Sequence, residues 1–336
     1  MKKIISLCIV LLFFTGCGAQ SGAAAQSSSV YLTSMDTVMQ LTAYGPKREA
    51  ALQSAQQEIQ RLDDLLSTGK ADSEVSLLNS QGELELSQDT AFLLGRALEL
   101  CQDTGGLFDV TIYPLVKLWG FYDKNYHVPT DEELKGAMAL VGSDRLTFDE
   151  TTRRASLGSG QSIDLGGIGK GYTSQKVVQL LKDAGVKSAM VSLGGNVQCL
   201  GAKPDGSSWN IGIRDPKGDG LYCAVSIVDK AVITSGGYER YFVMDGKTYL
   251  HILDPRTGVP AESGLSSVSI ITSDGTLADG LSTALYIMGL DDASDFWRAR
   301  KDAFDAVLIA DDGKLYATEG LKGSIRSDHE IHFITG

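Results

Sequence analysis

The sequence predicts a mixed α+β fold in which largely antiparallel sheets are interleaved with helices. Several long segments place apolar residues at helical spacing, and short segments between them alternate apolar and polar residues as strands do. Two pairs of alternating segments turn at Asp245-Gly246 and Asp312-Gly313, dipeptides that are typical of β-hairpins. No internal repeat or proline-rich linker divides residues 31–336, so they are expected to form one domain.

Four helices and a set of short strands are predicted in chain order. A Thr130-x-x-Glu133 capping box opens the third helix, and Gly185 ends the fourth. The helices are predicted at 46–66, 87–101, 130–140 and 172–184. The strands are predicted at 146–148, 155–157, 188–193, 209–213 and 224–228.

The N-terminal segment predicts export. After the basic start Met1-Lys2-Lys3, residues 4–14 are apolar, a run too short to cross a bilayer, which needs about 20 residues. Such a run fits a secretory signal, and Phe14-Thr15-Gly16-Cys17 resembles a lipobox. We therefore predict a signal peptide at 1–16, lipidation of Cys17 and a flexible tether over 17–30. The alternative is a plain signal peptide that ends near a cysteine.

The net charge of the chain limits the classes of molecule that it is expected to bind. The formal net charge is −12, and removal of the signal takes away two lysines and no acidic residue. Nucleic acids and anionic lipid surfaces are bound by clusters of lysine and arginine, so this chain is expected to bind neither. We expect an exported lipoprotein on the extracytoplasmic face of a membrane, held there by its lipid anchor only.

The cysteines beyond the lipidation site are Cys101, Cys199 and Cys223, and their spacing is unlike that of a metal site. Cys101 lies on an apolar helical face and is expected in the core. In an exported protein Cys199 and Cys223 could form a disulfide or remain free, and the sequence leaves both alternatives open.

A glycine-rich segment, 164–172, is the first candidate for chemistry. Its glycines allow the backbone to approach a ligand closely, and Lys170 can neutralise phosphate charge. Asp164 stands where a Walker A loop has its first glycine, and Tyr172 breaks the spacing of a dinucleotide-binding loop. The alternative is a turn that serves only helix packing.

Two further segments carry possible catalytic groups. If residues 276–285 are helical, Asp279 and Thr283 lie one turn apart and offer oxygen ligands that suit Mg²⁺. The alternative is an aspartate that stabilises a helix N-terminus. His251 ends a strand before the turns of 254–258, where a histidine can act as a general base or be merely structural.

Taken in order, these segments resemble the ApbE family, the FAD:protein FMN transferases. The resemblance runs from Met35 to beyond Leu285 and is carried by further motifs as well. These are Met35-Asp36-Thr37, Ser73-Glu74-Val75-Ser76-Leu77-Leu78-Asn79, Gly105-Gly106-Leu107-Phe108-Asp109-Val110-Thr111, Pro114-Leu115, Leu118-Trp119-Gly120-Phe121 and Thr234-Ser235-Gly236.

The resemblance implies a two-lobed core with FAD in the cleft between the lobes. It assigns the flavin nucleotide to Met35, Leu107, Phe108, Asp109, Asp164, Lys170 and Ile252. It assigns Mg²⁺ to the Gly167 carbonyl, Asp279 and Thr283, and it makes His251 the base. The chain departs from the family pattern at Asp36, which replaces a glycine, at Gly69, which replaces an aromatic residue, and at Gly169, which replaces an alanine.

The reaction implied is transfer of FMN from FAD to a threonine or serine hydroxyl of an acceptor protein, with release of AMP. Lys170 and Mg²⁺ would neutralise the pyrophosphate while His251 takes the proton of the hydroxyl. The resemblance suggests a membrane redox-complex subunit as the acceptor. The alternatives are an FAD pyrophosphatase, with water as the acceptor, and a flavin-binding lipoprotein for storage or uptake.

Overall fold

The computed structural model describes residues 26–336, so the predicted signal peptide, Cys17 and most of the predicted tether lie outside the described residues. Eight α-helices are described: α1 (Arg48–Leu66), α2 (Glu74–Gln81), α3 (Gln88–Asp103), α4 (Tyr113–Leu118), α5 (Asp131–Met138), α6 (Gly166–Asp183), α7 (Gly275–Met288) and α8 (Leu290–Arg298). None of them is long and apolar enough to cross a bilayer.

The strands number seventeen over the same residues. They are β1 (Ser27–Ser34), β2 (Thr37–Tyr44), β3 (Glu83–Glu85), β4 (Thr147–Asp149), β5 (Arg154–Ser156), β6 (Ala189–Leu193), β7 (Asn196–Leu200), β8 (Trp209–Arg214), β9 (Leu221–Ile227), β10 (Ala231–Gly236), β11 (Tyr241–Met244), β12 (Lys247–Leu250), β13 (Leu265–Thr272), β14 (Asp305–Ala310), β15 (Leu315–Thr318), β16 (Ile325–Arg326) and β17 (Ile331–Ile334). The mixed α+β prediction is confirmed.

A nine-stranded sheet in the order β1-β2-β6-β7-β10-β13-β14-β15-β17 forms the centre of the fold. All neighbours are antiparallel except β15 and β17. Ile233 and Ile270 pack with the helices on one face, whereas Val232 and Ile271 pack with β8 and β9 on the other. The central strands are buried on both faces, so they lack the alternation that would have revealed β10 and β13 in the sequence.

The predicted tether is too long by four residues. Residues 27–30 belong to β1, in which Ser27 pairs with Tyr44 and Val30 with Leu41 of β2. Val30 and Leu32 pack on the core beneath α1. Because these side chains are held against the core, the pairing of β1 with β2 extends back into the serine-rich segment. A tether can therefore include only residues before Ser27.

Most predicted helices are confirmed, with one shifted start. The Thr130–Glu133 capping box is formed by both of its hydrogen bonds. Helix α6 begins at Gly166 rather than Tyr172, so the predicted glycine loop is its first turn and a half. Glycine costs helix stability, but a Cβ at Gly171 would lie 2.1 Å from the Gly275 carbonyl oxygen of α7. The close packing of α6 on α7 thus requires the glycine.

The three cysteines of the described chain, Cys101, Cys199 and Cys223, are all buried and free. Cys101 lies in the core, as predicted. Cys199 and Cys223 share one apolar cluster without a disulfide, and burial raises the pKa of each thiol to about 12. They behave as small apolar side chains at neutral pH.

The β1–β2 turn carries backbone strain that can be measured. Met35 (φ 49°) and Asp36 (φ 57°) both lie in the left-handed region, as a type I′ turn requires. Relief of the left-handed conformation gains about 1 to 2 kcal/mol, and the entropy cost of glycine takes back about 0.5 to 1 kcal/mol. We therefore expect Asp36→Gly to raise the free energy of unfolding by about 0.5 to 1 kcal/mol in urea titrations. Asp36→Ala keeps the Cβ and should give no such gain. A destabilised glycine variant would show that the Asp36 carboxylate makes a stabilising contact.

Candidate active site

A cleft of roughly 300 Å³ is lined by the start of α6, by α7, by the 107–122 segment and by residues on either side of the β11–β12 hairpin. It brings together every residue of the described chain that the sequence assigned to a site. These are Met35, Leu107, Phe108, Asp109, Asp164, Gly167, Lys170, His251, Ile252, Asp279 and Thr283. They come from chain segments up to about 250 residues apart in sequence, and the fold places them on the walls of one concave surface.

Asp279 is anchored at the contact between α6 and α7. Its carboxylate is buried and accepts hydrogen bonds from the Gly171 amide (2.7 Å) and the Asn196 side-chain amide (3.0 Å). Burial raises the pKa of this carboxyl, whereas nearby Lys170 lowers it. The sequence did not single out Asn196, which follows a Gly194-Gly195 turn into β7.

The oxygen atoms around Asp279 suit a hard cation. In a regular helix the Gly171 amide faces the Gly167 carbonyl, four residues earlier. Here that amide donates to Asp279, so the carboxylate lies beside the turn of α6 that carries the Gly167 carbonyl. The Thr283 hydroxyl lies 3.2 Å from the Ser235 hydroxyl. No group of three or more histidine, cysteine or acidic residues is placed for metal binding within residues 26–336. A carboxylate, a carbonyl and a hydroxyl form a different donor set, one that fits Mg²⁺ with added water or phosphate oxygens.

Asp164 is positioned by the segment that precedes it. The Asn79 side chain donates to the Ile163 carbonyl (2.8 Å) and accepts from the Ile163 amide (2.6 Å). The Asp164 carboxylate accepts from the Gly166 amide at 2.7 Å. Burial raises its pKa, and Arg240 and Lys170 oppose that rise. The motif that ends at Asn79 therefore has a positioning role, away from the cleft wall.

Asp109 lines the cleft, but its carboxylate is occupied by protein contacts. One oxygen accepts from the Thr111 amide (2.8 Å) and hydroxyl (2.7 Å), and the other accepts from the Ser143 amide at 3.3 Å. These bonds hold the turn that follows Phe108. A Cβ on Gly167 would approach the Phe108 ring to 3.1 Å, so the ring packs directly on the start of α6.

His251 lies directly after β12 with its two ring nitrogens in different settings. Its backbone amide (3.1 Å) and its Nδ1 (3.0 Å) both face the Arg240 carbonyl. Because a carbonyl accepts, Nδ1 carries the hydrogen and Nε2 keeps its lone pair. Burial, Arg240 and Lys170 lower the pKa of His251 to about 4. The ring is therefore neutral at pH 7 and can accept a proton at Nε2.

Several residues of the cleft were missed in the sequence. Glu239 and Arg240 lie in the turn between β10 and β11 and line the cleft, and burial raises the pKa of Glu239. The one feature of the sequence that could have pointed to them is their pair of opposite charges close to the Thr234-Ser235-Gly236 motif. Gly69 does not line the cleft, whereas Tyr113 and Tyr122 do, and their rings meet edge to face at 5.6 Å.

Comparison with known proteins agrees with this architecture. The model of the ApbE family matches residues 35–308. The FAD:protein FMN transferase of Treponema pallidum is 34% identical over 86% of this chain and 86% of its own length. The FAD:protein FMN transferase of Klebsiella pneumoniae is 35% identical over 78% of this chain and 82% of its own.

The solved structures agree as well. The ApbE protein of Thermotoga maritima superposes with a TM-score of 0.85 at 32% identity and covers 90% of this chain and 100% of its own. The match of the family model, the sequence identity and the shared fold all extend over most of the described residues. The chain therefore belongs to the ApbE family.

Proposed function

We propose that this protein is an FAD:protein FMN transferase that moves FMN from FAD to a threonine or serine hydroxyl of an acceptor protein and releases AMP. The names of the similar proteins support the transfer of FMN. The observation that carries the proposal is a neutral His251 with a free Nε2 in the cleft that also holds Lys170 and the oxygen donors around Asp279.

In the proposed step the hydroxyl oxygen of the acceptor attacks the FMN phosphorus of FAD. Its proton passes to Nε2 of His251 as the new oxygen–phosphorus bond forms. The bond from that phosphorus to the AMP oxygen breaks, and AMP leaves with the electron pair. Lys170 lines the same cleft and would neutralise phosphate charge as the leaving group departs.

Asp279, Thr283 and the Gly167 carbonyl are the residues that would hold Mg²⁺. When bound, the ion supplies charge neutralisation for the pyrophosphate. The charges of the residues that line the cleft support a requirement for Mg²⁺. If all are ionised, the six carboxylates that line the cleft outnumber the cations Lys170 and Arg240. They belong to Asp36, Asp63, Asp109, Asp164, Glu239 and Asp279. A negatively charged substrate would then bind better with an added cation.

The cellular setting is a further part of the proposal. The signal-like N-terminus and Cys17 support an exported lipoprotein on the extracytoplasmic face of a membrane. A membrane redox-complex subunit in the same compartment would then be accessible as the acceptor. Labelling with a radioactive fatty acid in cells, lost in a Cys17→Ser variant, would test the anchor.

One experiment separates the proposed transferase from the two alternatives. FAD, Mg²⁺ and a candidate acceptor are incubated with the protein, and every product is weighed by mass spectrometry. A transferase adds the mass of FMN to the acceptor and releases AMP. Release of free FMN with AMP would mean a pyrophosphatase, and unchanged FAD would mean a flavin-binding carrier.

A separate prediction concerns modification of the protein itself. The segment 279–284 partly resembles an acceptor motif, which would make Ser282 the modified hydroxyl. Ser282 is fully buried in α7, and its Oγ donates to the Asp279 carbonyl at 2.7 Å. We therefore expect no mass change when the protein is incubated with FAD and Mg²⁺ alone. An FMN adduct mapped to Ser282 would contradict both this prediction and the metal site on the same helix.

A further inference from the structure

We infer that Arg240 is a phosphate ligand of the cleft, working with Lys170 to hold the FAD pyrophosphate beside His251. This inference rests on the proposed function, because the pyrophosphate is the group that FAD brings to the site. It assigns a substrate-binding and catalytic role to a residue that neither the motifs nor the resemblance singled out.

The backbone of Arg240 is held next to the base. Its carbonyl accepts from the His251 amide and from His251 Nδ1, so the two residues are held together by two hydrogen bonds. Arg240 lines the cleft, and its guanidinium makes no hydrogen bond or ion pair with any residue of 26–336. Arg256, in the next loop, is instead paired with Asp254 at 2.7 Å.

The charge of Arg240 acts on the other groups of the cleft. It lowers the pKa of His251, and it opposes the rise that burial causes in the pKa of Asp164 and Glu239. Lys170 acts in the same direction on all three residues. The two cations come from different elements, the start of α6 and the residue before β11, and both line the same cleft.

A pyrophosphate offers two phosphate groups, and two cations on different walls can contact both. A guanidinium binds phosphate oxygens through two parallel N–H donors, which fixes orientation as well as charge. Since Arg240 and His251 line the same cleft, the phosphate that Arg240 holds would share the cleft with the base. Arg240 would thus both bind FAD and stabilise the charge that develops as AMP leaves.

The test compares Arg240→Gln and Arg240→Lys with Lys247→Gln. Lys247 lies on the same hairpin, is 62% exposed, pairs with Glu262 and does not line the cleft, so it controls for loss of one positive charge. Binding of FAD and of riboflavin, which lacks the pyrophosphate, is measured by quenching of flavin fluorescence. Thermal unfolding of each variant confirms that it is folded.

We expect Arg240→Gln to weaken FAD binding about 10- to 100-fold and to lower kcat about 100- to 1,000-fold. Riboflavin binding should not change, Arg240→Lys should recover part of both losses, and Lys247→Gln should resemble the wild type. FAD affinity and kcat within about twofold of wild type would overturn the inference, as would an equal loss for riboflavin. If the wild type binds no FAD, the proposed function fails as well.

Discussion

Replacement of His251 by alanine is expected to lower turnover by roughly 100- to 10,000-fold, the range for loss of a general base, while FAD affinity stays nearly unchanged. The reason is that Nδ1 donates to the Arg240 carbonyl, so Nε2 carries the lone pair that can accept the proton. The measurement is FMN transfer at saturating FAD, with FAD binding followed by fluorescence. His251→Gln fills the same space without a basic nitrogen and should lose turnover to the same extent.

The control for this variant is His329→Ala, which removes a histidine that stacks on Tyr222 outside the cleft and should leave turnover unchanged. A His251 variant that turns over normally at saturating FAD but binds FAD poorly would contradict the base assignment.

The pH dependence of the wild type provides a second check on His251. Burial and two neighbouring cations disfavour the imidazolium ion, so the neutral, active form persists above a pKa of about 4. The value of kcat/KM should therefore be level near neutral pH and fall as the pH drops through about 4, rather than near the ordinary histidine value of about 6.5. Circular dichroism must show that the protein remains folded there. Burial also raises the pKa of the cleft carboxyls Glu239 and Asp279, so the limb is assigned by titrating the His251 ring by nuclear magnetic resonance. A ring that titrates near about 6.5 would mean that the cations do not act on it in the free enzyme.

Replacement of Asp279 by alanine is expected to abolish FMN transfer and to weaken Mg²⁺ binding. Asp279 is the single carboxylate in the proposed donor set, and a neutral water cannot replace its charge. Mg²⁺ binding can be measured by calorimetry and by the rise in Tm on adding Mg²⁺. Thr283→Ala should have a smaller effect, because water can take the place of a neutral hydroxyl ligand.

The structure adds a stability cost that must be separated from the loss of metal. Without the carboxylate, the buried Gly171 and Asn196 donors lose their partner, which costs about 1 to 3 kcal/mol for each group left unsatisfied. Asn196→Ala removes one of these bonds and keeps the carboxylate, so it should retain Mg²⁺ dependence. Transfer by Asp279→Ala at the wild-type rate and with the wild-type response to Mg²⁺ would remove this metal site.

Features that depend on neighbouring residues could be predicted from the sequence, whereas features that depend on distant residues could not. The Thr130 capping box and the turns at Asp245-Gly246 and Asp312-Gly313 could be predicted because their signals lie within a few neighbouring residues. Strands β10 and β13 could not, since burial on both faces removes the alternation that reveals a strand. The start of α6 was also missed, because glycines that disfavour an isolated helix are tolerated where another helix packs closely.

The sequence by itself determined the mixed fold class, the family and the residue types that carry the chemistry, because ordered motifs and periodic spacing are properties of the chain. Only the tertiary structure decided what those residues can do. It placed Arg240 against His251, lowered the pKa of that histidine to about 4, and directed the Gly171 and Asn196 donors to Asp279. The physical reason is that charge, burial and hydrogen bonding act through space between segments far apart in the chain, and folding alone sets those distances.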